Sequence, residues 1–209
     1  MFKVVLAVGI VSLLVLSAEY FYRIKHYKSE FTRKFVHITV GSFVAFWPWI
    51  LTWREIEYLA VLFLAAIALS RLLTILSSIH LIERKTLGEI FFAVAIGLIA
   101  LLTHNRLIFM AAMLHLSVAD GLAAIVGTYL GRSTRYKVFH QRKSIVGTEV
   151  FYVSSLAILA IYFHFSHMTG ALPILLWLPL LTTALENVGV RGSDNLLVPL
   201  VVTLVLRMH

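Results

Sequence analysis

The sequence predicts an all-α fold, a polytopic transmembrane bundle of about eight spans with no separate soluble domain. Three observations carry this. Of 209 residues, 60% are hydrophobic and only 13% are charged, whereas soluble domains run nearer half apolar and a quarter charged. The 14 Phe, 8 Tyr and 4 Trp are far too many for a disordered chain. The apolar residues gather into eight runs that approach the ~20 residues a membrane helix needs. A soluble enzyme is excluded, because so much apolar surface cannot be hidden inside one globule of this size. The absence of cysteine removes disulfides, thiolate zinc sites and a Cys nucleophile.

The eight runs are Phe2–Phe21, Phe35–Leu51, Tyr58–Leu76, Glu89–Thr103, Leu107–Leu130, Thr148–Phe165, Ala171–Leu185 and Asn195–Arg207. The first has a signal-peptide look, with Lys3 ahead of an apolar stretch. Its length and the seven runs that follow make it a span. The fourth, seventh and eighth are short and need bilayer thinning or polar flanks to cross. No repeat or linker divides the chain, so residues 1–209 read as one integral-membrane domain.

The net charge of +8 is distributed unevenly. Arg23, Lys25, Lys28, Arg33 and Lys34 lie between the first two runs. Arg84 and Lys85 follow the third, Arg132, Arg135, Lys137, Arg142 and Lys143 the fifth, and Arg191 the seventh. The alternate connections and ends hold only Lys3, Arg54, Arg106 and Arg207. Basic loops stay cytoplasmic, so this alternation fits eight crossings with both termini outside. The loops are too short for a nucleic-acid-binding domain, and no nucleic-acid partner is expected.

Carboxylates inside apolar runs are costly and mark function by default. Asp120 lies well inside the fifth run, about 16 Å from Gly131 at 1.5 Å per residue. Ala119, Ala123, Gly127 and Gly131 recur every four residues beside it, on one helix face. Such a stripe serves helix packing, or gives a ligand a smooth surface to approach. The basic loop that follows ends in Lys143-Ser144, and Gly147-Thr148 opens the sixth run. A helix start with glycine and hydroxyls offers N–H groups and a positive dipole end to an anion. In the segment 186–195, Glu186 and Asp194 bracket a glycine-rich turn. Oxygen ligands beside phosphate are how Mg²⁺ is usually held, although Asp194 also suits a helix N-cap. Arg33, His37 and Gly41 share a face by their spacing of four, and Gly88-Glu89 opens the fourth run. On the topology above, Arg33, Lys34, His37, Glu89, Lys143, Glu186 and Asp194 all fall at the cytoplasmic boundary, with Asp120 below them. That layout suits Mg²⁺ and a nucleotide on one side and a lipid headgroup on the other.

In this order the clusters resemble the CTP-dependent lipid-alcohol kinases, the family of dolichol, phytol, farnesol and CTP-dependent diacylglycerol kinases. The family pattern Asp-x2-Ala-x3-Gly-x3-Gly, then Lys-(Ser/Thr)-x-Glu-Gly, is matched by Asp120, Ala123, Gly127, Gly131 and by Lys143-Ser144-Ile145-Val146-Gly147. The stretch Asp194-Asn195-Leu196-Leu197-Val198-Pro199-Leu200, with Glu186 upstream, is similar to dolichol kinase, and Arg33-Lys34-x-x-His37 and Gly88-Glu89 also fit. Val146 stands where the family has Glu, and Glu149 lies two residues beyond Gly147. The resemblance implies transfer of the γ-phosphoryl of CTP to a membrane isoprenoid alcohol of polyprenol or dolichol type. Residues 120–148 become the nucleotide region, with Ala123, Gly127, Gly131, Arg132, Lys143, Ser144, Gly147, Thr148, Arg33 and Lys34 around the nucleotide. Mg²⁺ is then expected on Asp120, Glu186, Asp194 and Asn195. Asp120 or His37 takes the hydroxyl proton, Asp120 being the better placed by depth, and Lys143 offsets phosphate charge. Phytol, farnesol or diacylglycerol are alternative acceptors. A CTP:phospholipid cytidylyltransferase and a small transporter using Asp120 and Arg71 are the rival readings.

Overall fold

The computed structural model describes residues 1–25, 29–73, 87–139, 141–168 and 171–209. Lys28, Arg84, Lys85, the Arg71 side chain and the last residues of the third run lie outside the described set. Each of the eight apolar runs coincides with one helix: α1 (Phe2–Lys25), α2 (Ser29–Ala45), α3 (Trp53–Leu72), α4 (Gly88–Leu102), α5 (Arg106–Tyr129), α6 (Ile145–Ser166), α7 (Leu172–Val188) and α8 (Asp194–Arg207). Among the described residues, α1, α5 and α6 are long and apolar enough to cross a membrane, whereas α4 and α7 are apolar but shorter. At 1.5 Å per residue, α4 and α8 reach little more than ~20 Å against a hydrocarbon core of ~30 Å.

The helix ends follow local chemistry. α2 starts earlier than its apolar run and stops earlier, at Ala45. Pro48, inside the short turn Trp47–Trp49, lacks an N–H and cannot continue the ladder. Before α3, the Thr52 backbone N–H donates to Glu55 Oε2 at 2.8 Å and the Glu55 N–H returns to Thr52 Oγ1 at 3.4 Å, a capping box that satisfies two donors. Asn105 caps α5 by accepting from the Leu107 and Ile108 N–H groups.

The all-α expectation needs one correction. The basic loop after α5 is a β-hairpin, β1 (Arg135–Val138) paired antiparallel with β2 (Gln141–Ser144). Its sequence alternates Tyr136 and Val138 with Arg135 and Lys137, a period of two that suits a strand. Phe139 turns it with φ of 50°.

α5 is the axis of the bundle. Of its apolar window 72% is buried, against 22% for α1 and 33% for α6. Phe109, Met113 and Leu116 are fully enclosed with Phe151 and Leu159 of α6, Leu178 of α7, Leu206 of α8 and Ile96 and Ile99 of α4. The outer helices leave large apolar side chains such as Leu13, Val61, Val153 and Leu180 exposed, a surface suited to lipid rather than water. Asn105, Ser166 and Arg207 line one open cleft at the end remote from Asp120. Helix α5 therefore runs opposite to α4, α6 and α8.

The small-residue stripe brings α5 against the start of α6. A Cβ added at Gly127 would lie 2.7 Å from Ser144 Oγ and 3.0 Å from the Gly147 Cα, and one at Gly147 would lie 2.9 Å from the Ala123 carbonyl. Gly127→Ala is therefore expected to lower stability by about 1–3 kcal/mol through overpacking. Gly9→Ala in α1, where nothing stands within 4 Å, is expected to be neutral or stabilising. Thermal unfolding in detergent compares the two, and equal midpoints would refute the close approach.

Candidate active site

Five helices and the hairpin bring charge together at one end of the bundle. Asp120 sits inside α5 and is only 6% exposed. Lys34, one turn into α2 and 7% exposed, donates to Asp120 Oδ2 at 2.6 Å. His37, three residues on, stands 3.2 Å from the same oxygen and 2.6 Å from the Leu116 carbonyl. A carbonyl only accepts, so His37 Nε2 carries a proton and donates. The α2 spacing places Gly41 on this face too, where a Cβ would meet the Ser117 Cβ at 2.3 Å. Arg33 is half-buried on the same helix.

Lys143 on β2 forms the second pair. Its ammonium donates to a Glu186 carboxylate oxygen at the end of α7, and to the Glu186 carbonyl at 2.8 Å. Burial alone would push the ammonium down. The Glu186 carboxylate, with Asp194 and Asp120 behind it, reverses this and holds Lys143 above the ordinary lysine pKa. Gln141 Nε2 donates to the Gly189 carbonyl at 2.8 Å, and the Tyr136 hydroxyl donates to Asn187 Oδ1. Thr148 joins that pair, 2.5 Å from the Tyr136 hydroxyl and 3.2 Å from Asn187. The hairpin thus clasps the end of α7 from Tyr136 to Lys143 and fixes Glu186.

Asp194 and Asn195 open α8. Asn195 Nδ2 donates to the Gly88 carbonyl at 3.0 Å, and Leu87 N–H donates to the Arg191 carbonyl at 2.9 Å. Gly192 has φ of +88° and lies against Gly88, where a Cβ would come within 2.7 Å of its Cα. Only glycine tolerates both the left-handed backbone and the contact. This turn ties α8 to α4 and aims Asp194 inward. Glu89 is half-buried in the first turn of α4.

One oxygen each from Asp120, Glu186 and Asp194 lies within 4.8 Å of the other two. Oxygen ligands at ~2.1 Å around one Mg²⁺ are at most ~4.2 Å apart, so shifts of a few tenths of an ångström bring all three onto a single ion. An oxygen-only donor set suits a hard divalent cation. Asn195 lines the same tight cleft, with His115, Leu116, Phe151 and Val198.

The nucleotide-motif residues are also together. Ala123, Gly127, Gly131, Ser144 and Gly147 form the α5–α6 contact, and Ser144 Oγ accepts the Gly147 N–H at 3.1 Å as N-cap of α6. One N–H that the sequence offers to an anion is thereby capped. Arg132 is exposed beside this contact. Glu149, the nearest substitute for the family Glu, is exposed on α6 and is not one of the three converging carboxylates. The sequence reading missed His115, which is fully buried and bonded to Ser155. A histidine within an apolar run was the available signal.

Fold and site together define a class, an apolar helical bundle with a buried centre of carboxylates and lysines at one end. Within that class, the chain belongs to the polyprenol and phytol kinase family. It is 35% identical to the phytol kinase of Synechocystis sp. over 201 residues, which are 93% of this chain and 86% of that one. No family model matches the chain, and no solved structure matches it.

Proposed function

We propose that the chain transfers the γ-phosphoryl group of CTP to the hydroxyl of a membrane isoprenoid alcohol, giving the alcohol monophosphate and CDP. The observation that carries this reading is the meeting of Asp120, deep in α5, with Glu186, Asp194, Lys34 and Lys143. The likeness to a phytol kinase puts phytol first among acceptors, ahead of polyprenol and dolichol. The bundle crosses the membrane several times with this end toward the cytoplasm, because the basic hairpin and the α2 entry lie on the same side.

Phosphoryl transfer asks for positioning and charge neutralisation more than covalent chemistry. Asp120, Glu186, Asp194 and Asn195 would hold Mg²⁺, which would supply positive charge to offset that of the nucleotide phosphates. Lys34 and Lys143 already neutralise two of these carboxylates. As the phosphates enter, both ammonium groups are within reach of them and exchange carboxylate for phosphate. Arg33 and Arg132 add positive charge at the mouth. Asp120 is the group best placed to accept the hydroxyl proton, because an alcohol held in the bilayer approaches from its side of the site. The Nε2–H of His37 is already directed at the Leu116 carbonyl and Asp120, which suits it to orient Asp120 rather than to take the proton.

The test supplies γ-labelled CTP or ATP with Mg²⁺ and a panel of phytol, farnesol, geranylgeraniol, polyprenol, dolichol and diacylglycerol. Label from CTP is expected in an isoprenoid phosphate, with CDP as co-product. Label from ATP alone would move the donor assignment. Pyrophosphate release with a CDP-lipid would replace a kinase by a cytidylyltransferase. No labelled lipid from folded protein would sink the proposal.

A further inference from the structure

Immediately before Asp120, helix α5 widens. Residues His115–Ala119 form a π turn, and the Asp120 backbone N–H reaches back to the His115 carbonyl, five residues away rather than four. Successive residues of an α-helix are about 100° apart. One extra residue in a turn swings everything beyond it by about that angle, and Asp120 is the first residue beyond. Without the π turn, its carboxylate would leave Lys34, Glu186 and Asp194. Turns of this kind are rare and concentrate at functional sites.

Side chains hold the turn open. His115 is fully buried, with Nδ1 2.8 Å from the Ala111 carbonyl and Nε2 2.8 Å from Ser155 Oγ on α6. The carbonyl requires Nδ1 to donate, so in the neutral ring Nε2 accepts from the Ser155 hydroxyl. Ser155 Oγ is in turn 3.0 Å from Thr182 Oγ1 on α7. From the other side, His37 donates to the Leu116 carbonyl inside the turn, and Ser117 Oγ donates to the Met113 carbonyl at 2.8 Å. Both His115 nitrogens are engaged, so neither is left to bond a substrate or a metal ion.

Resting on the kinase reading above, we propose that His115 is a positioning residue. Through Ser155 and Thr182 it locks the π turn of α5 to α6 and α7 and so sets the direction of the Asp120 carboxylate. A histidine that merely fills the core would affect folding alone.

The variants are His115→Leu, His115→Gln and Ser155→Ala. Misplacing a reacting group by about 1 Å can cost on the order of 10²-fold in rate. His115→Leu is expected to lower kcat at least ~10-fold on that basis, with a smaller rise in the KM for CTP, because Lys143 and Glu186 keep their places and only the Asp120 carboxylate turns. His115→Gln, whose amide reaches toward Ser155, is expected to recover most of the rate. If His115→Leu fails to fold, Ser155→Ala carries the same comparison with a smaller fall in kcat. An unchanged kcat in a folded variant overturns the proposal, as does a loss that tracks unfolding and is not recovered by glutamine. A second readout needs no activity. The chain has no cysteine, so Lys34→Cys with Asp120→Cys can be bridged by a short bifunctional thiol reagent. His115→Leu is expected to cut the bridged fraction severalfold, and an unchanged fraction overturns the proposal. If the unmodified protein labels no lipid, the kinase reading falls, and the bridging yield still decides the role of His115.

Discussion

Asp120→Asn is expected to lower label transfer to lipid by about 10²–10⁴-fold, the range for removing a positioned acid–base group. The amide keeps the shape of the carboxylate and removes only its charge and basicity. The substitution also touches stability. Lys34 is 7% exposed and Asp120 is its anion at 2.6 Å. Removing one partner of a buried pair typically costs about 3–5 kcal/mol, because the other is left charged and alone. A dead variant could therefore be an unfolded one. The double variant Lys34→Met with Asp120→Asn separates these causes, since it takes both charges out together. It is expected to recover most of the lost thermal stability and none of the activity. Residual transfer above about a tenth of normal in Asp120→Asn would remove Asp120 from the chemistry. Recovery of activity in the double variant would make the residue a structural ion-pair partner.

Much of this site was legible because carboxylates are so rare in apolar runs. Asp120 stands out by that rarity, Glu186 and Asp194 by bracketing the glycine-rich turn between two apolar runs, and the alternation of basic loops puts them at one end. Their convergence within 4.8 Å follows from α5 running opposite to α8. Pairing was not legible. Lys34 and Asp120 are 86 residues apart in sequence, and only the packing of α2 on the π turn, through Gly41 and Gly121, makes them partners. The glycine stripe was legible as a face but ambiguous in purpose, and Gly127 against Gly147 gives it a packing role at the least. The hairpin was hidden because its turn lacks the Asn-Gly or Asp-Gly pair that marks two-residue hairpins, and its charges suit a topological loop equally well. The π turn has no compositional signature. His115, Ser117 and Asp120 would read the same in a regular helix.

Lys143→Met is the other substitution with a large expected effect, and its outcome depends on the metal. Loss of one cation aimed at developing phosphate charge typically costs about 10²–10³-fold in rate, and transfer is expected to fall by that much. Stability falls as well, because Glu186 is then left beside Asp194 and Asp120 without the ammonium that pairs with it. Such a centre should bind a divalent cation more tightly than the unmodified protein does, where the cation must displace an ammonium. Without nucleotide, millimolar Mg²⁺ is expected to raise the unfolding midpoint of Lys143→Met more than that of the unmodified chain. A cation at a hundredfold its dissociation constant contributes about 2.7 kcal/mol. Glu186→Gln reverses the sign, since it removes a ligand and leaves Lys143 beside the remaining carboxylates, so Mg²⁺ should stabilise it less. Proton linkage gives an independent check. The pKa of Lys143 is raised on folding, so on the alkaline side its pair with ionised Glu186 holds in full up to the ordinary lysine value of about 10.4. The contribution is lost only as pH climbs through the raised value. The unmodified chain should therefore lose stability more steeply above about pH 10.4 than Lys143→Met. Equal Mg²⁺ shifts in all three proteins would remove Glu186 from the metal set and leave it as the anchor of the hairpin lysine.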